Sequence, residues 1–152
     1  MYGPSPFVAR AVQPTLFTGS LLMALRGELT EYASFLLTWP FIDDAALTAL
    51  GALDDDRAGA RYLAAGRNED AMSLAAFCNL GCAIAGVAHR VDDVPAERLG
   101  ERLGSMRAYA ERKPAVPMID PSETVRRLGL DLVPVEAGVE RTVRWLKDNG
   151  LF

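Results

Sequence analysis

The feature that most constrains this chain is its carboxyl end, which is patterned as two helices separated by a turn. Asp120 is an expected N-cap acid, Pro121 takes the first helical position, and Glu123 lies three residues after the cap. Gly129 is the expected stop of this helix. A longer amphipathic helix is predicted over residues 135–149, followed by a glycine stop. The side chains predicted to be buried on it are Val139, Val143 and Leu146.

Helix and strand patterns alternate through the preceding residues. Helices are predicted over residues 15–26, 43–53, 73–85 and 96–113, and strands over residues 32–41 and 60–65 and within 87–95. In the second of these helices Asp43 or Asp44 is the expected cap, and the inner face is predicted to comprise Ala46, Leu50 and Leu53. These patterns predict an α/β (mixed α+β) fold with a few short strands and about five or six helices, forming a single domain over residues 1–152.

Charge and apolar patterning exclude several classes of protein. The net charge of the 152 residues is −4 and the basic residues do not cluster, so a nucleic-acid partner is not expected. The sequence has neither a membrane-spanning apolar run nor a signal peptide, which predicts a cytoplasmic protein that does not enter membranes. Cys78 and Cys82 are expected to be reduced core residues, and with His89 they are too few for a zinc site, so no metal is expected.

Four segments, in order, resemble the extended short-chain dehydrogenases/reductases, the group of sugar-nucleotide epimerases and dihydroflavonol reductases. Tyr2-Gly3-Pro4 resembles the "YGP" that follows the last core strand of that family's cofactor domain. Residues 41–50 resemble its "V-x-D-V-A-x-A" segment, and residues 58–66 with 72–74 resemble "G-x-R-Y-L-x-x-G … x-S-L". The fourth segment is the carboxyl end. The resemblance implies the substrate-binding lobe of such an enzyme.

The cofactor half of that family has no counterpart in the sequence. No glycine-rich turn between a strand and a helix is present to hold a pyrophosphate. The family's catalytic tyrosine and lysine lie upstream of the "YGP". Tyr109 and Lys113 match the tyrosine-x-x-x-lysine spacing, but they lie far downstream in a charged helix, and we interpret them as a chance match. The chain alone is therefore expected to bind no cofactor, and NAD(P) is implied only with a separate cofactor-binding half.

A few residues remain as candidates for chemistry or ligand binding. His89, Asp43 and Asp44 are candidate acid–base groups, although a lone histidine is more often structural and aspartates at a helix start more often serve as caps. The three aspartates 54–56 are expected to form a solvated turn rather than a cation site. The candidate substrate-binding side chains are Tyr2, Phe7, Met23, Trp39 and Phe41, with plain core packing as the alternative.

Three functions are consistent with these observations. The chain is the substrate part of an NAD(P)-dependent reductase or epimerase, not redox-competent by itself. Alternatively it is a cofactor-independent cyclase, isomerase or dehydratase acting on a hydrophobic natural-product-like substrate, or a non-catalytic binding module. In each case a small-molecule ligand is expected. A homodimer or a Rossmann-type partner is also expected, covering apolar surface exposed on residues 15–25 and 32–41.

Overall fold

The computed structural model describes residues 1–57, 59–102 and 119–152. Seven helices and two short strands lie in these residues: α1 (Val8–Ala11), α2 (Phe17–Leu25), β1 (Glu31–Ala33), α3 (Ile42–Asp54), α4 (Leu74–Ala85), β2 (Asp92–Val94), α5 (Ala96–Leu99), α6 (Ser122–Leu128) and α7 (Val135–Asp148). A 3-10 turn at Asn68–Asp70 precedes α4. The mixed α+β class with few strands is confirmed, with slightly more helices than predicted.

In the described residues the sheet is a single parallel pair, in which β1 pairs with β2 so that Glu31 lies opposite Asp92 and Ala33 opposite Val94. The predicted strand over residues 32–41 continues beyond β1 only as isolated bridges, Leu37 with Met72 and Phe41 with Tyr2. The predicted strand over residues 60–65 is wrong. That segment is irregular because its amides find other partners, as when Leu63 N–H donates to the Thr124 hydroxyl at 2.9 Å.

The core lies around α4, which packs against both α2 and α7. The Ser73 hydroxyl caps α4 by accepting from Ala76 N–H, as predicted. A Cβ on Gly81 would lie 2.3 Å from Leu21 Cδ1, so a larger residue there would force the Leu21 side chain to move. The predicted inner face of α7 is confirmed, since Val139, Val143 and Leu146 are all buried.

The prediction that residues 15–25 and 32–41 expose apolar surface is wrong for most of their apolar side chains, although Leu16 is 41% exposed. Leu21, Leu22 and Leu25 of α2 are buried, because α2 packs on α4. In the second segment Ala33, Phe35, Leu37, Trp39 and Phe41 are also buried. These side chains complete the core of the chain itself, so they offer no surface to a partner.

The predicted inner face of α3 is also wrong. Leu50 and Leu53 are 59% and 82% exposed, and Ala46 is exposed as well. The buried positions are Asp44 and Thr48 instead. Asp44 faces inward because its carboxylate accepts the Val133 N–H, at 3.2 and 3.3 Å from its two oxygens, and Thr48 Oγ1 donates to the Asp44 carbonyl at 2.8 Å. A polar stripe therefore faces inward and a row of leucines faces solvent.

Helix ends differ from the predictions in detail. Neither Asp43 nor Asp44 caps α3; both lie in its first turn, where a negative charge favours the helix dipole, and Phe41 occupies the cap position. The carboxylate of Asp120 accepts from Ser122 N–H at 2.9 Å, and α6 begins at Ser122, one residue later than expected. Of the predicted helix over 96–113, the structure shows α5 at its start, over Ala96–Leu99. Residues 103–113, with Tyr109 and Lys113, fall outside the described residues.

Candidate functional site

Three of the candidate ligand-binding side chains belong to an aromatic cluster in the core. Trp39 stacks on Phe77 with ring centroids 3.9 Å apart, and Tyr2 packs edge-on against Phe77 and Phe41 at 4.9 and 5.4 Å. The Tyr2 hydroxyl donates to the Val135 carbonyl, and Trp39 Nε1 donates to a backbone carbonyl; both distances are 3.2 Å. Burial raises the pKa of Tyr2. Tyr2, Trp39 and Phe41 are at most 2% exposed and stabilise the core.

A cleft of about 280 Å³ lies directly beside this cluster, at the amino end of the described chain. Tyr2 forms part of its wall, together with Gly3, Ser5, Thr18 and Ile42. Three large apolar side chains line its rim and are exposed: Met1 (57%), Phe7 (71%) and Leu16 (41%). Phe7 is thus placed at a cavity as a ligand-binding residue would be, whereas Met23 is half-buried on α2 and does not line this cleft.

The wall of the cleft is fixed by backbone contacts. Tyr2 N–H donates to the Pro40 carbonyl at 3.2 Å, and the Tyr2 carbonyl accepts from Ile42 N–H at 2.9 Å. Gly3 N–H donates to Thr18 Oγ1 at 3.2 Å, which ties the segment to α2. Gly3 has a φ of +138°, and a Cβ there would lie 2.5 Å from Ile42 Cγ2, so the position requires glycine.

The charge of the cleft differs from that of the molecule as a whole. Although the chain is acidic, the side chains that line the cleft include no carboxylate and one cation, Arg10. Arg10 is exposed, and the described part of the chain offers its guanidinium no hydrogen bond or ion pair. Sequence reasoning missed Arg10, Leu16 and Thr18, since no spacing or motif connects them to the tyrosine-glycine-proline segment.

Asp43 and Asp44 occupy different environments. Asp43 pairs with Arg141, whose guanidinium also lies 4.6 Å from the centre of the Phe41 ring. Asp44 is 4% exposed, and burial raises its pKa while the hydrogen bond from Val133 N–H opposes that rise. Both carboxylates therefore have partners that hold α3 against the segment around α7. Acid–base roles for them stay a prediction.

His89 lies elsewhere, between α4 and β2. Its Nε2 is 2.7 Å from the Leu29 carbonyl, so the tautomer protonated at Nε2 donates this bond. The nearby Asp93 accepts from the Ser73 hydroxyl at 2.9 Å. Within the described residues no carboxylate is hydrogen-bonded to the imidazole. A catalytic role for His89 stays a prediction.

The aspartate turn after α3 contains a structural ion pair. Asp55 accepts from both Nε and an Nη of Arg127, and Tyr62 donates its hydroxyl to the same carboxylate. The side chain of Asp55 is only 10% exposed, so the prediction of a solvated turn is wrong for this residue. The hydrogen bonds from Arg127 and then Tyr62 lower the pKa of Asp55. No trio of potential metal ligands is assembled in residues 1–57, 59–102 and 119–152.

The comparisons with known proteins yield a structural neighbour. The fold is similar to the crystal structure of a protein called gox2253, with a TM-score of 0.74 and 19% sequence identity. The superposition covers 99% of this chain and 48% of that chain, so this chain spans about half the length of its neighbour. At this identity the likeness shows the fold alone. No protein-family model and no curated protein matches the sequence. In the described part of the chain, no helix is long and apolar enough to cross a membrane.

Proposed function

We propose that this chain is the substrate-binding part of an NAD(P)-dependent reductase or epimerase and that it is not redox-competent by itself. The observation that carries the proposal is the position of the cleft, which the tyrosine-glycine-proline segment lines at the amino end of the described chain. In the family that this segment resembles, the cofactor domain immediately precedes it. A preceding half would therefore adjoin the open side of the cleft.

The structural neighbour supports the same arrangement. Nearly all of this chain superposes on about half of a longer chain, as expected of one lobe of a two-part protein. The sequence holds no glycine-rich turn to cradle a pyrophosphate, so the NAD(P) site would belong to the other half. We place both halves in the cytoplasm.

A partner would cover apolar side chains that this chain leaves exposed. Besides the rim of the cleft, Leu47, Leu50 and Leu53 form an outward row on α3. We propose that a Rossmann-type half covers the cleft rim, and that the α3 row is available for pairing between two copies. Light scattering of the pure chain tests this pairing through the α3 row, and we expect a dimer.

The proposal is tested by cofactor titration with and without a cofactor half. Calorimetry of the chain alone with NADH and with NADPH should show no binding. The coding sequence next to that of this chain should specify a glycine-rich strand–turn–helix unit. Its product, co-expressed with this chain, should co-purify and bind one of the two cofactors. Micromolar affinity of the chain alone for NADH or NADPH would refute the proposal that the cofactor site belongs to the other half. A monodisperse monomer, with no such coding sequence next to its own, would favour the cofactor-independent enzyme.

A further inference from the structure

We infer that the cleft beside Tyr2 binds a small apolar carboxylic acid, with Arg10 recognising the carboxylate. This inference rests on the proposed function, because it names the substrate class of the same site. It is carried by the contrast between apolar walls and a single cationic side chain without a partner in the described residues. Together they match a ligand with one apolar end and one anionic end.

The apolar part of the ligand is indicated by the rim. Met1, Phe7 and Leu16 are large side chains that remain more than 40% exposed while surrounding one cavity. Isolated exposed apolar residues are ordinary, but a group that lines one concave site is typical of ligand binding. The volume of about 280 Å³ equals roughly nine waters at about 30 Å³ each. A single ring with a short tail fits that space.

The anionic part is indicated by the polar groups. Arg10 has no partner in the described part of the chain, and the cleft has no carboxylate to compete for it. Thr18 Oγ1 accepts from Gly3 N–H, which leaves its own proton for a ligand oxygen. Ser5 Oγ accepts from Phe7 N–H in the same way. Arg10, Thr18 and Ser5 can therefore donate to a ligand, and a carboxylate is an acceptor-only group.

The number of cations limits the class of anion. Diphosphate groups carry more charge than Arg10, the one cationic side chain of the cleft, neutralises, and the net charge of −4 disfavours them further. A planar carboxylate matches the fork of one guanidinium in bidentate fashion. A monocarboxylic acid is therefore the ligand that this cleft fits best.

The experiment compares an acid with its neutral isostere. The isotope-labelled chain is titrated with 3-phenylpropionate and with 3-phenylpropanamide, and amide shifts are followed by NMR. Shifts are expected at Gly3, Ser5 and Thr18. The acid should bind about tenfold more tightly than the amide, which is the difference in affinity that one charge-assisted hydrogen bond typically gives. Arg10→Gln should abolish this preference and Arg10→Lys should retain part of it.

A matched variant and the cofactor experiment separate the possible failures. Arg144→Gln removes an exposed arginine of α7 that pairs with Glu140, and the preference for the acid should be unchanged in it. Equal affinity for acid and amide, an undiminished preference in Arg10→Gln, or no shifts in the cleft up to the solubility of the probes would overturn the inference. If that occurs while a cofactor half still restores NAD(P) binding, the proposed function stands and only the ligand class is rejected.

Discussion

Leu146 on α7 offers the sharpest test of how this chain is stabilised. Its side chain is 0% exposed and belongs to the main core. Leu146→Ala removes three carbons, which at about 0.8 kcal/mol per buried CH₂ corresponds to about 2.4 kcal/mol of lost burial. The cavity left beside α4 adds to this, so we expect the free energy of unfolding to fall by about 3–4 kcal/mol. With a urea m-value of about 2 kcal/mol/M, the unfolding midpoint should fall by about 1.5–2 M.

The matched control is Leu50→Ala on α3, measured at a protein concentration at which light scattering shows a monomer, because the proposed dimer would cover this side chain. The same atoms are removed from a helix, but Leu50 is 59% exposed, so the cost should remain within about 0.5 kcal/mol. Unfolding can be followed by the fluorescence of the buried Trp39. A midpoint shift for Leu146→Ala equivalent to less than about 0.5 kcal/mol would show that α7 is not docked. A loss above about 2 kcal/mol for Leu50→Ala would show that α3 faces the other way.

Four further predictions concern titratable groups. Because Arg127 lowers the pKa of Asp55 in the folded state, the pair stabilises the fold above the ordinary carboxyl pKa of about 4. Urea melts of Arg127→Gln should show a stability loss at pH 7 that shrinks as the pH falls below 4. Asp44 behaves oppositely: burial raises its pKa, so its contribution to stability grows as the pH falls toward 4, and Asp44→Asn should remove that growth in the same melts. At pH 7 Asp44→Ala should cost about 1–3 kcal/mol, because a backbone N–H loses its acceptor, and near-neutrality would contradict the structure. The two buried α4 thiols, whose pKa values burial raises, should react with a disulfide reagent at pH 8 only in urea, and rapid labelling of the folded chain would refute that.

Local patterns were sufficient to predict the helices whose ends carry explicit signals. The Ser73 cap and Gly86, which has a φ of +72°, bound α4 as expected, and α7 has the strong amphipathic period that marks a core helix. The face of α3 could not be predicted in this way. Its orientation depends on Asp44 finding the Val133 amide, a partner far along the chain that periodicity does not reveal.

The candidate site was predictable only in part. The sequence offers Tyr2 and Phe7 as candidates, but it does not show that the first ring is buried and the second exposed. Arg10 had no motif to mark it. Its position at the cleft depends on how the glycine at position 3 bends the chain against Ile42, which only the tertiary structure shows.

The hydrogen bond between Tyr2 and Val135 joins residues 133 positions apart, and Arg26 likewise donates to the Leu151 carbonyl across 125 positions. Such pairings have a kinetic consequence. Loops of this length close late and at an entropic cost, so the chain should refold slowly for its size. During synthesis, the aromatic cluster around Tyr2 must wait for α7 to leave the ribosome, and until then its rings lack their final cover. The nascent chain therefore exposes these rings to chaperones and to aggregation until α7 has been synthesised.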